Sequence, residues 1–135
     1  MDVAAARPGL AEVVVDGAAG EGGGQVLRTS LALSAILGRR LRIVNIRGGR
    51  PKPGLQRQHM TCVLAASRTC AAKVEGNALN SRELVFEPTE RVNVEPGLTL
   101  DIGSAGSVTL VLQTVIPILL FAERPSRVTV KGGAS

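Results

Sequence analysis

Five of the eight residues from Gly17 to Gly24 are glycine (Gly-Ala-Ala-Gly-Glu-Gly-Gly-Gly). No regular element runs comfortably through such a stretch, because each interior glycine weakens a helix or strand by roughly 0.5–1 kcal/mol relative to alanine. What flanks it therefore has to be two separate elements. Before it stands Glu12-Val-Val-Val-Asp16, a β-branched run that predicts a strand. After it, Gln25 to Leu37 has Val26, Ser30, Leu33 and Leu37 at i, i+4, i+7 and i+11, the spacing of a helix face, closed by Gly38 as a stop. The constraint is a strand, a glycine loop and a helix in that order.

The same logic carries along the chain. Leu41 to Ile46 reads as a strand, Arg47 to Pro53 as a loop with two glycines and two prolines, and Leu55 to Cys70 as a helix. That helix has Leu55, His59, Cys62, Ala66 and Cys70 on one stripe. Lys73–Glu75, Glu83–Glu87 and Leu98–Ile102 read as strands, Ser104–Ala122 as a buried helix, and Arg127–Lys131 as a last strand. The order β-α-β-α-β-β, then β-α-β, predicts a layered α/β protein. The start of the pattern also recurs: Gly20-Glu-Gly-Gly-Gly-Gln-Val-Leu opens one helix and Gly103-Ser-Ala-Gly-Ser-Val-Thr-Leu another, 83 positions on. Each helix leads to a strand closed by a basic residue and two glycines, Arg47-Gly-Gly49 and Lys131-Gly-Gly133. The expectation is a first β-α-β-α-β-β unit over residues 1–96 and the beginning of a second over 97–135, so that the chain is the front part of a longer protein.

Composition narrows the function classes. With two Phe, no Tyr and no Trp, there is no aromatic platform for stacking bases. The longest apolar run, Val108–Ala122, is 15 residues, short of the ~20 that span a bilayer, and no secretory leader is visible near Met1. A soluble, cytoplasmic protein without a membrane partner is expected. Cys62 and Cys70 fall eight apart in one predicted helix, about 12 Å, too far for a disulfide, and read as small core residues.

The formal net charge of +5 is unevenly spread. Between Glu21 and Glu75 there are no acids, and ten basic residues: Arg28, Arg39, Arg40, Arg42, Arg47, Arg50, Lys52, Arg57, Arg68 and Lys73. The rest of the chain holds 16 − 10 = 6 basic against 11 acidic residues. Such a split predicts a positive face for a polyanion or a nucleotide phosphate, with a solvated basic surface as the plainer alternative. Within that window, Arg39, Arg40 and Arg42 are expected to give only diffuse, salt-screened attraction.

Three places carry candidate chemistry. The glycine loop at a helix start can cradle an anion or serve as a tight turn; it matches neither Gly-Lys-Ser/Thr nor Gly-x-Gly-x-x-Gly. Glu21 within it would repel phosphate unless a divalent cation bridges the two; its other reading is a carboxylate stabilising the first helical turn. Gln25, Arg28 and Thr29 share a face just beyond the loop, and Arg28 among leucines needs a carboxylate, a carbonyl or a ligand phosphate. Gln113 poses the same question in the last helix. In Arg47-Gly-Gly-Arg50-Pro-Lys-Pro53, two guanidinium forks suit phosphate, and Gln58 and His59 follow. His59, on an apolar stripe, reads on its own as a hydrogen-bonded core histidine.

Taken together, Gly20-Glu-Gly-Gly-Gly-Gln-Val-Leu-Arg28, Asn45-Ile-Arg-Gly-Gly-Arg-Pro-Lys-Pro-Gly-Leu-Gln-Arg-Gln-His59 and Ile102-Gly-Ser-Ala-Gly-Ser-Val-Thr-Leu-Val-Leu-Gln-Thr114 resemble the RNA 3′-terminal phosphate cyclase family. The resemblance runs from about Glu12 to the end. It implies repeated β-α-β-α-β-β units, an architecture shared with enolpyruvyl transferases. It also implies an ATP- and Mg²⁺-dependent reaction on an RNA with a 3′-terminal phosphate. In it a histidine takes AMP from ATP, AMP passes to the RNA 3′-phosphate, and the 2′-hydroxyl displaces it to leave a 2′,3′-cyclic phosphate. By position, Glu21 would hold the metal, and Glu21, Gln25 and Gln113 would contact ATP. Arg28, Arg47, Arg50, Gln58 and His59 would surround the RNA phosphate. The family's nucleophilic histidine is expected beyond Ser135, so no catalytic residue is expected in this chain and the 135 residues alone should be inactive. The alternative is the family's non-catalytic branch, an RNA-binding ribosome-assembly factor.

Overall fold

A computed structural model describes residues 12–20, 22–94, 96–102 and 105–132. Along them run β1 (Val13–Asp16), α1 (Gly24–Leu37), β2 (Leu41–Val44), α2 (Arg57–Thr69), β3 (Lys73–Glu75), β4 (Leu84–Glu87), β5 (Leu98–Ile102), α3 (Ala105–Leu119) and β6 (Val128–Gly132). The protein is mixed α/β, with a four-stranded sheet in the order β1-β2-β4-β3 and a two-stranded sheet, β5-β6. β1 and β2 are parallel, as are β5 and β6, and in each pair a helix makes the crossover. β4 runs antiparallel to both its neighbours.

The three helices pack on one another, and two apolar clusters meet among them. One lies under the four-stranded sheet and contains Leu27, Leu31, Ile43, Leu55, Val63, Ala66, Phe86 and Ile118. The other, around β5, contains Cys62, Ala65, Leu98, Leu100, Val111 and Val115. α2 serves both because its inner faces are small: Cys62, Ala65 and Ala66 let its neighbours approach closely, and both cysteines are buried free thiols, as expected. The predicted α2 stripe from Leu55 to Cys70 is buried throughout.

α1 buries Leu27, Leu31, Ser34 and Ala35, while Leu33 and Leu37 of the expected stripe are about half exposed. Past its first turns α1 is apolar on more than one side, and the face buried against α2, α3 and the sheet is the one that carries Ala32 and Ala35. Gly38 does stop it, in the left-handed conformation (φ 67°), donating its N–H to Ser34 O. β2 ends at Val44, two residues early, because Asn45 turns to φ 52°. The last helix is not buried all round: Val111, Thr114, Val115 and Ile118 face inward, while Gln113, Ile116 and Pro117 are exposed, and so are Leu120 and Phe121 just past its end.

The acid-free window is also not acid-free in space. On the solvent face of the sheet Arg40 pairs with Glu12 (2.8 Å) and Glu87 (2.6 Å), and Arg42 with Glu12 (2.8 Å) and Glu83. The expected diffuse attraction from Arg40 and Arg42 is therefore cancelled by carboxylates just before β1, just before β4 and at the end of β4. The two arginines hold Glu12 below the usual carboxylate range, through hydrogen bonds first from Arg42 and then from Arg40.

Candidate anion-binding site

Parallel pairing of β1 with β2 brings the two loops that follow them together at one end of the sheet. Gly17, the first residue after β1, is locked against the second loop. Its N–H donates to Val44 O (2.7 Å), its carbonyl accepts from Arg47 N–H (3.3 Å), and a Cβ there would meet Ile46 Cα at 2.7 Å. The glycine loop and the basic loop are one unit.

Where α1 begins, the backbone is crowded by cations. A Cβ on Gly23 would come 2.7 Å from Arg50 Nη2, and one on Gly24 would come 2.7 Å from Arg28 Nη1 and 2.9 Å from His59 Nε2. Glycine at 23 and 24 is what allows two guanidinium groups and an imidazole to lie on the first turn of a helix. No side chain caps α1, so its leading N–H groups and the positive end of its dipole join the same place. Among the described residues no carboxylate pairs with Arg28 or Arg50.

Each group is held differently. Arg28 is half-buried, and its Nη2 makes a long hydrogen bond (3.4 Å) to Gln25 Oε1, while Gln25 Nε2 donates to Thr29 Oγ1 (3.0 Å). Arg50 is exposed at the end of the turn that Arg47 begins, its N–H donating to Arg47 O (3.0 Å). Arg47 itself folds back: it holds φ 50°, and its Nη1 donates to the carbonyls of Lys52 and Gly54 (the latter 3.1 Å). The resemblance makes Arg47 a substrate contact; in the structure its guanidinium braces the loop. Burial, and then the charge of Arg50, pull its affinity for a proton down.

His59 is buried in the first turn of α2. Its Nδ1 accepts the Gln56 N–H (3.0 Å), so in the neutral ring Nε2 carries the proton and points it toward Gly24. Burial first, then Arg47 and Arg28, lower its pKa from 6.5 to about 4. At neutral pH it is an uncharged N–H donor with its lone pair occupied, in keeping with the reading of a hydrogen-bonded core histidine. Gln58 is exposed beside it on the same turn.

Gln25, Arg28 and Thr29 of α1 and Gln113 of α3 line one groove of about 400 Å³ between the two helices, floored by Ala32 and Leu33 and closed by Pro117. Gln113 thus needs no buried partner, since it faces this groove. Glu21 lies outside the described residues, and among those described no three His, Cys, Asp or Glu side chains lie together to hold a metal ion. No helix among them is long and apolar enough to cross a membrane. The arrangement brings Arg28, Arg47, Arg50 and His59 around the start of α1, with Gln25 and Gln113 in the adjoining groove. It also brings in Ser81 and Arg82, which no sequence motif marked, and Asn45, which opens one motif but was given no role there; the three hold the basic loop from behind. The preference of asparagine for left-handed turns is the signal that could have marked Asn45 as the turning residue.

The protein-family model for RNA 3′-terminal phosphate cyclase matches residues 19–135. A protein of Sulfurisphaera tokodaii described as RNA 3′-terminal phosphate cyclase is 53% identical over 121 residues, 90% of this chain and 35% of that relative. The chain therefore spans about a third of the length of the curated relative it matches. Matched over most of its length by both, the chain belongs to the RNA 3′-terminal phosphate cyclase family.

Proposed function

We propose that this chain forms the anion-binding front of an enzyme that uses ATP to convert an RNA 3′-terminal phosphate into a 2′,3′-cyclic phosphate. One observation carries the reading: Arg28, Arg50 and the His59 N–H converge on an uncapped, glycine-lined helix start, with no carboxylate among the described residues to balance them. Like charges gathered this way are stabilised when an anion sits between them.

In the step that closes the ring, the 2′-hydroxyl oxygen bonds to the 3′-phosphorus, the bond to AMP breaks, AMP leaves and the hydroxyl proton passes to base or solvent. The contribution of these residues is to hold the phosphate's outer oxygens so that attack is in line, which raises the effective molarity of the neighbouring hydroxyl. The groove of Gln25, Arg28 and Gln113 adjoins this point and suits the nucleotide. Glu21 is the residue we assign to Mg²⁺; when bound, that ion neutralises charge on the ATP phosphates. Its donor set would have to be completed by the ATP itself or by groups outside the described residues. His59 is not the residue that takes up AMP, because Gln56 N–H occupies its lone pair; that nucleophile belongs to the part of the protein after Ser135, as the greater length of the relative allows. The parallel β5-α3-β6 unit, similar in plan to β1-α1-β2, supports reading residues 97–135 as the start of a second repeat after a first over 1–96.

The test compares two short RNAs that differ only in ending with a 3′-phosphate or a 3′-hydroxyl. The chain should prefer the phosphate end, and Arg50→Ala or Arg28→Ala should each lower that preference about 10- to 100-fold, the worth of one charged bidentate contact (~1.5–3 kcal/mol). Equal affinity of the unmodified chain for both RNAs would sink the reading. Incubation with labelled ATP should leave no acid-labile AMP on the chain; label on His59 would show that the nucleophile has been misplaced.

A further inference from the structure

The segment between β3 and β4 holds no candidate site residue, yet the basic loop is built on it. Ile46 N–H donates to Arg82 O (3.0 Å), Leu55 N–H to Ser81 O (2.9 Å), and Asn80 N–H to Leu55 O (2.7 Å). Both ends of the loop therefore rest on three consecutive residues, 80 to 82. Gly54 N–H to Ile46 O (2.9 Å) ties those ends to each other.

One side-chain bond completes the brace: Arg82 Nη2 donates to Asn45 Oδ1 (3.1 Å). Asn45 and Arg47 both hold left-handed backbone, φ 52° and 50°, on either side of Ile46. These two residues set the direction in which the chain leaves β2, and hence where Arg50 lands against Gly23. The Asn45 amide lies over Gly48, where a Cβ would come within 2.1 Å of Oδ1, so only glycine leaves it undisturbed. Glu83, the acid nearest Arg82 in sequence, is already bonded to Arg42 and does not compete.

We propose that Arg82 and Asn45 are positioning residues for the phosphate end of the substrate: Arg82 fixes the Asn45 amide, and the amide fixes the turn that presents Arg50. This rests on the reading of the basic loop as a phosphate-binding element. Neither residue is placed on the phosphate itself.

The experiment uses the whole chain with the same pair of RNAs, ending in 3′-phosphate or 3′-hydroxyl, read by fluorescence anisotropy. Arg82→Ala and Asn45→Gly should each reduce the preference for phosphate about 3- to 10-fold, the range of one neutral or singly charged hydrogen bond. Affinity for the hydroxyl end should stay put. Glycine is chosen at 45 because it keeps the left-handed backbone and removes only the amide. The double variant should lose no more than the larger single loss, since both remove the same bond. Arg82→Lys, which can still donate to Oδ1, should restore most of the preference, and Gly48→Ala should mimic Asn45→Gly by displacing the amide. A preference untouched by Arg82→Ala overturns the proposal and leaves the loop's role standing, as does an equal weakening of both RNAs. Should Arg82→Ala fail to fold, Asn45→Gly and Gly48→Ala decide by the same criteria. If the unmodified chain shows no preference, the phosphate-end reading falls and the proposal with it.

Discussion

At His59 a single backbone N–H decides the chemistry of the ring. With Nδ1 accepting from Gln56 and burial opposing charge, the imidazole stays neutral down to about pH 4, against 6.5 when exposed. The unfolded chain therefore binds the extra proton first. Between those two values stability must fall as pH falls, by up to about 1.4 kcal/mol for each pH unit crossed. Urea titrations at pH 7, 5.5 and 4.5 should show this, and His59→Gln, which cannot ionise, should flatten the dependence. A slope unchanged in that variant would place the acid sensitivity elsewhere. The two loop arginines separate in the same way. Arg47 spends its guanidinium on the carbonyls of Lys52 and Gly54. Arg47→Ala should lower the melting temperature, and Arg47→Lys should restore part of the loss, because both bonds leave the single Nη1 and an ammonium can also donate to two carbonyls. Arg50→Ala, at an exposed position, should leave the melting temperature alone.

At the scale of elements, nearly every strand and helix was legible, because glycine and proline punctuate them and the α2 stripe has one apolar face. What misled was any element without a clear polar side. α1 carries leucine at 27, 31, 33 and 37, so its sequence permits two stripes roughly a third of a turn apart, and only packing chooses between them. The site was legible as a list of cations, but not in how each is spent. Sequence separation hid that Glu12, Glu83 and Glu87 would come beside Arg40 and Arg42 across the sheet. That pairing changes what the strand arginines should do. Arg40→Ala and Arg42→Ala should lower thermal stability, the loss shrinking at high salt as the remaining like charges are screened, while affinity for RNA hardly moves. If either variant instead binds RNA more weakly at low salt, with unchanged stability, these ion pairs do not hold in solution and the basic-surface view returns.

Across the whole molecule, charge and apolar surface lie in different places. Among the described residues Arg28 and Arg50, which no carboxylate pairs, lie at the start of α1, whereas past the end of α3 Leu120 and Phe121 are 77% and 65% exposed, with Ile116 half exposed one turn back. Two large side chains that open to water, beside a third, make an apolar patch of the kind that drives association in a soluble chain. The chain by itself should therefore self-associate, seen as a sedimentation coefficient that rises with concentration. Adding salt should strengthen this association, because burial of apolar area is its source and the net charge of +5 opposes it. Leu120→Ser with Phe121→Ser should return a monomer without lowering the melting temperature, since neither side chain lies in the core. The RNA-end preference should survive that change, because the patch and the cation cluster share no residue. A chain that stays monomeric at all concentrations would show that this surface is satisfied within the molecule, and loss of the RNA preference in the double variant would mean that the two ends are coupled after all.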